Sequence, residues 1–456
     1  MSDLHLVVLA AGKGTRMKSR RPKVLHEAGG LPLIEHVLRT ADGLAPSTTI
    51  IVVGHGASAV QERLAKRLGL LFAVQEPQLG TGHALLQTEP LLEGRSGTVV
   101  LLSGDVPLLR VGTLRALVDR HRRTNAAATV VTAVMDDPAG YGRVIRTNGS
   151  ISAIVEHKDA SGAEREVREI NSGIYAFDLP PLFEALRGIA SQNAQGEYYL
   201  PDLVGIFHGM GLGVETFVVN DPSEITGVNS RVELAEVGAV VRNARNDELM
   251  AAGVTIVDPA TTWIGQDVAV ASDTVIHPNV QLEGRTRIGR NCVIHSGVRI
   301  VDSEIGSGVT INNHCVITEA HVHDGARIGP FAHIRPASEI GPDVHIGNFV
   351  ELKKTTMGKG AKANHLAYLG DATIGEKVNV GAGTITCNYD GIAKHRTVIE
   401  DGAFIGSDSQ LIAPVRIGRG AYVAAGSSIT EDVPPESLAI ARGKQVNKEG
   451  WAKKKK

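Results

Sequence analysis

Residues 264–300 read IGQDVAVASDTVIHPNVQLEGRTRIGRNCVIHSGVRI, with an aliphatic side chain at every sixth position. The period runs through Ile264, Val270, Ile276, Leu282, Ile288, Ile294 and Ile300, slips by one residue to Ile305, Ile311 and Ile317, slips again to Val322, Ile328, Ile334, Ile340, Ile346 and Leu352, and returns at Ile399, Ile405, Leu411, Ile417, Val423 and Ile429. Such a period is the signature of a parallel β-helix, in which each hexapeptide supplies one short strand with its aliphatic side chain inward. The second half of the chain is therefore predicted to form this solenoid.

The composition agrees with a solenoid that has many tight corners. The chain of 456 residues contains 52 glycines but only 4% aromatic residues. A hydrophobic content of 43% excludes a disordered chain, and the glycines have no three-residue period, which excludes collagen. The length predicts two or three domains.

Charge and cysteine content exclude several classes of function. A net charge of −2 lacks the basic surplus that nucleic-acid binding favours. The lysine run at 453–456 is expected to be a solvated end. No apolar stretch is long enough for a membrane span. The three cysteines form no Cys-x-x-Cys pair, which suits a reducing compartment, and we expect a cytoplasmic protein.

The first half has a different organisation. Apolar runs at 6–10, 49–53 and 98–102 end in glycine-containing turns and alternate with helical patterns. This alternation predicts a mostly parallel sheet covered by helices, with ligands beyond the carboxyl ends of its strands. Ser230-x-x-Glu233 has capping-box spacing. We therefore predict a first domain at 1–231, a helical linker at 232–252 and a second domain at 253–456.

The turn after the first apolar run carries phosphate-binding features. Gly12-Lys13-Gly14 lets backbone N–H groups approach phosphates, while Lys13, Arg16 and Lys23 supply positive charge. An ordinary glycine turn is the alternative. Asp105 ends the third apolar run, where it is either a helix cap or a Mg²⁺ ligand. We found no nucleophile dyad, which fits phosphoryl or nucleotidyl transfer, since the attacking phosphate is already anionic.

Longer motifs then identify a resemblance that spans nearly the whole chain. These motifs lie at 9–17, 75–83, 141–143, 154–159, 169–173, 196–199, 347–354, 365–370 and 381–391. The chain resembles the family of bacterial bifunctional N-acetylglucosamine-1-phosphate uridyltransferases/glucosamine-1-phosphate acetyltransferases. The resemblance implies an α/β fold class: a Rossmann-like nucleotidyltransferase domain, a long linker helix and a left-handed parallel β-helix.

The resemblance implies roles in a first site that joins N-acetylglucosamine 1-phosphate to UTP. Nucleotide contacts are expected from Leu9, Ala10, Ala11, Gly12, Gln75, Gly80, Thr81, Ser103 and Gly104, with Arg16 and Lys23 at the phosphates. The N-acetylglucosamine is expected at Gly142, Glu156 and Asn171. Mg²⁺ is expected at Asp105 and Asn229; without the resemblance, Asn229 is more simply a helix cap.

In the second domain the resemblance implies acetyl transfer from acetyl-CoA to glucosamine 1-phosphate. His365 is the expected general base, because imidazole suits proton transfer near neutral pH, and Glu351 would orient it or stabilise its charge. The sugar phosphate is expected at Arg335, Lys353, Tyr368 and Asn379, and acetyl-CoA at Ala382, Asn388, Tyr389, Ser407, Ala425 and Arg442. The family also implies a homotrimer with acetyl sites at subunit boundaries.

Two alternatives stay open at this point. A monofunctional sugar-nucleotide pyrophosphorylase would use its β-helix for allostery or assembly and would lack His365 and the Asn388-Tyr389 pair. A degenerate transferase used as a regulatory subunit would have lost at least one of Arg16, Lys23 and Asp105. All of these residues are present, which favours the bifunctional enzyme.

Overall fold

The computed structural model describes residues 3–455, and side chains as far as residue 453. Most of the lysine run at 453–456 therefore lies outside the described side chains. The chain divides into two compact units, one ending at Val241 and the other beginning at Arg242. This division falls within one helix, Arg231–Ala251. The domain boundaries at 231 and 252 remain a prediction.

The N-terminal unit is built around a nine-stranded sheet. The strands of this unit are β1 (Leu4–Ala10), β2 (Glu27–Ala28), β3 (Leu31–Pro32), β4 (Thr48–Val53), β5 (Leu70–Val74), β6 (Thr98–Ser103), β7 (Ala128–Val134), β8 (Arg143–Thr147), β9 (Ser150–Val155), β10 (Glu169–Asp178) and β11 (Val214–Val218). The helices are α1 (Leu33–Asp42), α2 (Ala57–Leu64), α3 (Thr81–Leu86), α4 (Glu89–Leu92), α5 (Val111–Thr124), α6 (Gly162–Arg165), α7 (Leu179–Arg187), α8 (Leu203–Gly209) and α9 (Arg231–Ala251), with 3₁₀ turns at Thr15–Met17, Lys23–Leu25, Leu200–Asp202 and Pro222–Ile225.

The sheet is mixed, and its central strands are buried on both faces. Its order is β11-β7-β10-β6-β1-β4-β5, with β8 and β9 branching from β10. Strands β1, β4, β5 and β6 are parallel, whereas β10 runs antiparallel to β6 and β7. Leu6 and Val8 pack into one apolar cluster and Val7 into the other. This explains the continuous apolar runs, and it brings the carboxyl ends of β1, β5 and β6 to one edge.

The C-terminal unit is a left-handed β-helix whose three faces are parallel sheets. The first sheet contains Thr255–Ile256 (β12), Val275–Ile276 (β15), Val293–Ile294 (β18), Thr310–Ile311 (β21), Arg327–Ile328 (β24), His345–Asn348 (β27), Lys362–His365 (β30), Asn379–Val380 (β33), Phe404–Ile405 (β36), Tyr422–Val423 (β39) and Leu438–Ala439 (β41). The second contains Trp263–Ile264 (β13), Gln281–Glu283 (β16), Arg299–Val301 (β19), Val316–Thr318 (β22), His333–Ile334 (β25), Glu351–Lys353 (β28), Tyr368–Gly370 (β31), Ile385–Cys387 (β34), Gln410–Ile412 (β37) and Ser428–Ile429 (β40). The third contains Ala269–Val270 (β14), Arg287–Ile288 (β17), Glu304–Ile305 (β20), His321–Val322 (β23), Glu339–Ile340 (β26), Thr356–Met357 (β29), Ala372–Ile374 (β32), Thr397–Ile399 (β35) and Val415–Ile417 (β38). A last 3₁₀ turn spans Trp451–Lys455.

The interior of the coil follows the six-residue period. Ile276, Ile294 and Ile311 are fully buried on successive turns of the first face. The coil also continues between 353 and 398, where the simple aliphatic period fades because positions such as Ala363 and Thr386 hold small or polar residues inside. One excursion, at 388–396, leaves the coil between β34 and β35.

The predicted linker is present as helix α9. Its capping box forms as expected: the Glu233 amide donates to Ser230 Oγ at 3.2 Å, and Glu233 accepts from the Ser230 amide at 3.2 Å. Within residues 3–455, no helix is both long and apolar enough to cross a membrane.

Candidate active sites

The first predicted site lies at the edge where the parallel strands end. Ser103 pairs with Leu9, and the Gly104 amide donates to the Leu9 carbonyl at 2.9 Å, so the loops after β1 and β6 are neighbours. Gln75 is buried just beyond β5, and its Nε2 donates to the Gly80 carbonyl at 2.8 Å. Gly80 has φ +105°, and a side chain there would meet the Tyr198 carbonyl oxygen at 2.7 Å. The close approach of these two chain segments therefore requires glycine.

Lys23 lies between the two predicted magnesium ligands. Its ammonium pairs with the Asp105 carboxylate and donates to Asn229 Oδ1 at 3.0 Å. The Asp105 carbonyl accepts from the Val228 amide at 2.9 Å, which joins the segment before α9 to the end of β6. Arg16 is exposed in the loop that follows β1. The structure thus brings together three residues that are far apart in sequence.

The oxygen donors of this cluster fit a hard divalent cation. Asp105 and Asn229 both direct an oxygen at the same positively charged group, and carboxylate and amide oxygens are suitable Mg²⁺ ligands. Among the described residues, no group of three or more His, Cys, Asp or Glu side chains could hold a metal. Mg²⁺ in nucleotide sites needs only one or two protein oxygens, because substrate phosphates and water complete its shell.

The three residues predicted to hold the sugar, Gly142, Glu156 and Asn171, are neighbours in the structure. An added side chain at Gly142 would lie 3.3 Å from Glu156 Oε1 and 3.5 Å from Asn171 Cβ. Asn171 Oδ1 accepts hydrogen bonds from the Gly173 amide and the Tyr175 hydroxyl, both at 3.0 Å, so its orientation is fixed. Burial raises the pKa of Glu156, and the carboxylates of Asp159, Asp202 and Glu197 add to this effect.

Two further residues of this site were not among the predicted ligands. Burial raises the pKa of Tyr141, and the negative charges of Glu233 and Asp105 add to this effect. Arg143 is almost fully buried; its guanidinium donates to the Tyr141 carbonyl and lies 3.4 Å from His157 Nδ1. Both residues belong to the motif at 141–143. The motif indicated a functional segment, but it did not show what these two side chains contact.

In the second unit, one corner of the coil carries His365 and four of the six residues predicted to bind acetyl-CoA. This corner follows the first face, and we call its row of stacked positions the site column: Asn348, His365, Ala382, Ser407, Ala425 and Arg442. Backbone hydrogen bonds connect successive levels of this corner. The Leu366 amide donates to the Asn348 carbonyl at 3.0 Å, and the Gly383 amide donates to the Leu366 carbonyl at 3.1 Å. Further along, the Asp408 amide donates to the Ala382 carbonyl at 2.7 Å, and the Gly426 amide donates to the Ser407 carbonyl at 2.8 Å. Arg442 reaches back to the Ala425 carbonyl. His365 and the proposed acetyl-CoA residues therefore form a continuous row.

The nearest partners of His365 and Glu351 are not each other. His365 Nδ1 lies 2.7 Å from Asn348 Oδ1, whereas Glu351 Oε1 accepts from Arg335 Nη1 at 2.8 Å. Glu351 lies on β28, beyond the corner that carries His365. The role of Glu351 in orienting His365 remains a prediction. Asn348 was not selected, although it lies within the motif at 347–354, because the motif does not show which of its side chains meets His365.

A second cluster of polar side chains lies around Lys353, on the second face of the coil. Lys353 is 3.7 Å from the Asp371 carboxylate, and Asn388 Nδ2 donates to the same Asp371 oxygen. Interaction with the Lys353 amine lowers the pKa of Lys394, a residue of the excursion that the sequence analysis did not select. Lys353 and Lys394 thus place two positive charges near the single carboxylate of Asp371, an arrangement that favours a bound phosphate.

Of the remaining predicted ligands, Tyr368 lies beside this cluster, whereas Asn379 is on the first face and Tyr389 is in the excursion. An added side chain at Gly370 would lie 2.5 Å from the Tyr368 hydroxyl and 2.7 Å from Asn388 Nδ2, so these two side chains are neighbours. Asn379 lies on β33, paired with Lys362 of β30. Tyr389 is exposed in the excursion, where its hydroxyl donates to the Gly391 carbonyl at 2.7 Å.

Comparisons with known proteins agree with both halves. The MobA-like NTP transferase domain family matches residues 6–170, and the bacterial transferase hexapeptide family matches 267–302, 319–354 and 396–431. The bifunctional protein GlmU of Geotalea uraniireducens (strain Rf4) is 51% identical over 457 aligned residues, covering 100% of both chains. The chain belongs to the GlmU family.

Other GlmU relatives are equally similar along their whole length. Those of Shouchella clausii (strain KSM-K16) and Geobacter metallireducens (strain ATCC 53774 / DSM 7210 / GS-15) are 50% and 49% identical and cover 100% of this chain. As a member of the GlmU family, the chain is a bifunctional enzyme that combines uridyltransferase and acetyltransferase activities. The resemblance and the fold class that the sequence predicted are confirmed.

Proposed function

We propose that the C-terminal unit acetylates glucosamine 1-phosphate with acetyl-CoA, and that the N-terminal unit then joins the product, N-acetylglucosamine 1-phosphate, to UTP. Pyrophosphate is released and UDP-N-acetylglucosamine forms. The observation that supports the proposal is the presence of two clusters in one chain: Lys23 with Asp105 and Asn229, and, in the coil, His365 in the site column with Lys353 and Arg335 on the second face.

In the uridyl transfer we assign charge neutralisation to the loop after β1 and to Lys23. A phosphate oxygen of the sugar phosphate attacks the α-phosphorus of UTP in line, forming one P–O bond as the bond to pyrophosphate breaks. The attacking oxygen is already ionised, so no general base is required. Arg16 and Lys23 stabilise the charge on the phosphates, and Gly142, Glu156 and Asn171 hold the sugar.

Magnesium fits this site through Asp105 and Asn229. When bound, Mg²⁺ would offset charge on the nucleotide phosphates. Lys23 pairs with the same two residues and supplies a positive charge from the protein itself.

In the acetyl transfer we assign proton abstraction to His365. The 2-amino nitrogen of glucosamine 1-phosphate attacks the thioester carbonyl, the new N–C bond forms, and coenzyme A leaves as the C–S bond breaks. His365 takes the proton that the amine loses. Arg335, Lys353, Tyr368 and Asn379 hold the sugar phosphate, while the site column from Ala382 to Arg442, together with Asn388 and Tyr389, holds acetyl-CoA. The phosphate of the substrate would sit between Lys353 and Lys394, where their mutual repulsion favours an anion.

We also propose a homotrimer assembled through the β-helix, with a cytoplasmic location where UTP and acetyl-CoA are available. An exposed apolar row supports the assembly: Phe331, Phe349 and Leu366 are 48%, 55% and 62% exposed on successive levels. The two phenylalanine rings stack at 5.3 Å, and Leu366 directly follows His365. Exposed aromatic side chains in a row are unusual on a surface that faces only water.

A pair of variants tests both assignments. His365→Ala should abolish release of free coenzyme A with glucosamine 1-phosphate while leaving pyrophosphate release from UTP intact, because only the first reaction needs a base. Asp105→Ala should do the reverse. Each variant is the control for folding of the other, and acetyl transfer that survives in His365→Ala would refute the base assignment.

A further inference from the structure

The side chain of Asn348 contacts the proposed base of the acetyl transfer. Asn348 Oδ1 lies 2.7 Å from His365 Nδ1. An amide oxygen can only accept a hydrogen bond, so this contact requires the proton to be on Nδ1. In the neutral ring the other nitrogen, Nε2, then has a lone pair, which is what a general base needs.

The coil holds the two side chains together. Asn348 and His365 are paired residues of neighbouring parallel strands, β27 and β30, and the Leu366 amide donates to the Asn348 carbonyl at 3.0 Å. The absence of a side chain at Gly347 lets the two turns approach closely, since a side chain there would lie 1.9 Å from the Asn364 carbonyl oxygen. Phe349 and Leu366 have matching left-handed φ angles of 55° and 47°, so the two levels turn the corner in the same way.

We infer that Asn348 is a positioning residue for acetyl transfer, holding the His365 imidazole with Nδ1 protonated and Nε2 free to accept the proton of the attacking amine. This inference rests on the proposed acetyltransferase function. Asn348 itself need not touch a substrate.

The charged groups around His365 explain why the neutral amide of Asn348 is a suitable partner for its ring. The strands beside His365 carry His345 on β27 and Lys362 on β30 itself, while β33 carries no titratable side chain. Across the corner, the carboxylate of Glu351 is already paired with Arg335. An amide partner fixes the tautomer without adding a negative charge, whereas a carboxylate in its place would favour the imidazolium.

The test is a set of Asn348 variants of the full chain, assayed for coenzyme A release as a function of pH. We expect Asn348→Ala to lower kcat/KM for acetyl transfer roughly 10- to 100-fold, the usual cost of losing a partner that orients an imidazole, mainly through kcat. We expect Asn348→Asp to move the acid limb of the pH–rate profile up by about one pH unit or more, because the added carboxylate favours the protonated ring.

The controls separate this inference from the proposed function. Asn313→Ala removes the same side chain from the same corner, two levels away from Asn348, and should keep wild-type acetyl transfer. Pyrophosphate release from UTP should be unchanged in every variant. A merely structural role would not move the acid limb in Asn348→Asp, so an unmoved limb, or an Asn348→Ala rate within twofold of wild type, would overturn the inference. A wild-type chain without acetyl transfer would instead refute the proposed function.

Discussion

Lys23 shows how much of a site can depend on one residue and its distant partners. It is separated from Asp105 by 82 positions and from Asn229 by 206. The sequence identified Lys23 as a cation within reach of the glycine-rich loop, and Asp105 by its position at a strand end. It could not show that their side chains meet, because that contact depends on the order of strands in the sheet. Asn229 was suggested only by the family resemblance.

Glu156 combines a predicted role in binding with an unfavourable charge. Its pKa is raised by burial and by neighbouring carboxylates, so the folded state binds a proton more tightly than the unfolded state. Stability should therefore fall as the pH rises above the ordinary glutamate range, towards the raised pKa. Ionised Glu156 destabilises the fold while offering a strong hydrogen-bond acceptor to a sugar hydroxyl.

We predict that Glu156→Gln weakens binding but stabilises the free enzyme at neutral pH. Loss of a charged hydrogen bond should raise KM for N-acetylglucosamine 1-phosphate by about 10- to 100-fold. Thermal unfolding without ligand, measured at pH 5 and pH 8, should show that the variant is more stable than wild type at pH 8 and has less advantage at pH 5. A lower Tm at pH 8 would contradict the argument.

At the scale of elements, the β-helix aligns residues that are about one turn apart in sequence. His365 follows Asn348 by one turn, and Ala382 follows His365 by another, so the site column is produced by the length of the coil. The excursion at 388–396 adds residues without breaking the column, since β35 rejoins the third face beside β32. The hexapeptide period predicted the strands, but the column depends on how many residues each turn contains.

We predict that Gly347→Ala impairs acetyl transfer by disturbing the packing between two neighbouring turns of the coil. The new methyl group would meet the Asn364 carbonyl oxygen of the next turn, and overpacking of this kind costs about 1–3 kcal/mol. Acetyl transfer should fall while uridyl transfer stays near wild type, and the unfolding temperature of the full chain should drop.

Gly205→Ala provides the matched control. Gly205 is exposed in α8, and a side chain there meets nothing within 4 Å. Alanine in an open helical position should stabilise the protein by about 0.5–1 kcal/mol, with both activities unchanged. Equal losses in the two glycine variants would mean that the close contact at Gly347 is not the cause.

At the scale of the whole molecule, two units with different architectures carry the two clusters. The row formed by Phe331, Phe349 and Leu366 adjoins His365, and both phenylalanines have left-handed backbone angles, with φ near 55°. Bulky residues rarely adopt this conformation. Strained and exposed aromatic residues beside a proposed active site agree with a surface that a second copy of the chain covers.

We predict that Phe349→Asp prevents assembly and, with it, acetyl transfer. The introduced charge would have to be buried between subunits, which is strongly unfavourable without a partner. Analytical ultracentrifugation should show a trimer for wild type and smaller species for the variant, with uridyl transfer retained. Leu68→Asp, at a position 95% exposed in the N-terminal unit, is the control and should remain trimeric. A trimeric Phe349→Asp variant without acetyl transfer would place Phe349 in the site instead of the interface.

The amino-acid sequence by itself determined the two architectures, the glycine-containing turn after the first strand and the helix between the halves. These features follow from local rules: an aliphatic side chain at each sixth position, glycines after an apolar strand, and a capping box before an amphipathic run. Only the tertiary structure decided which side chains meet, including Asn348 with His365, Lys23 with Asn229 and Lys353 with Asp371. The physical reason is that these contacts depend on strand order and on the length of each coil, neither of which is encoded in any short segment.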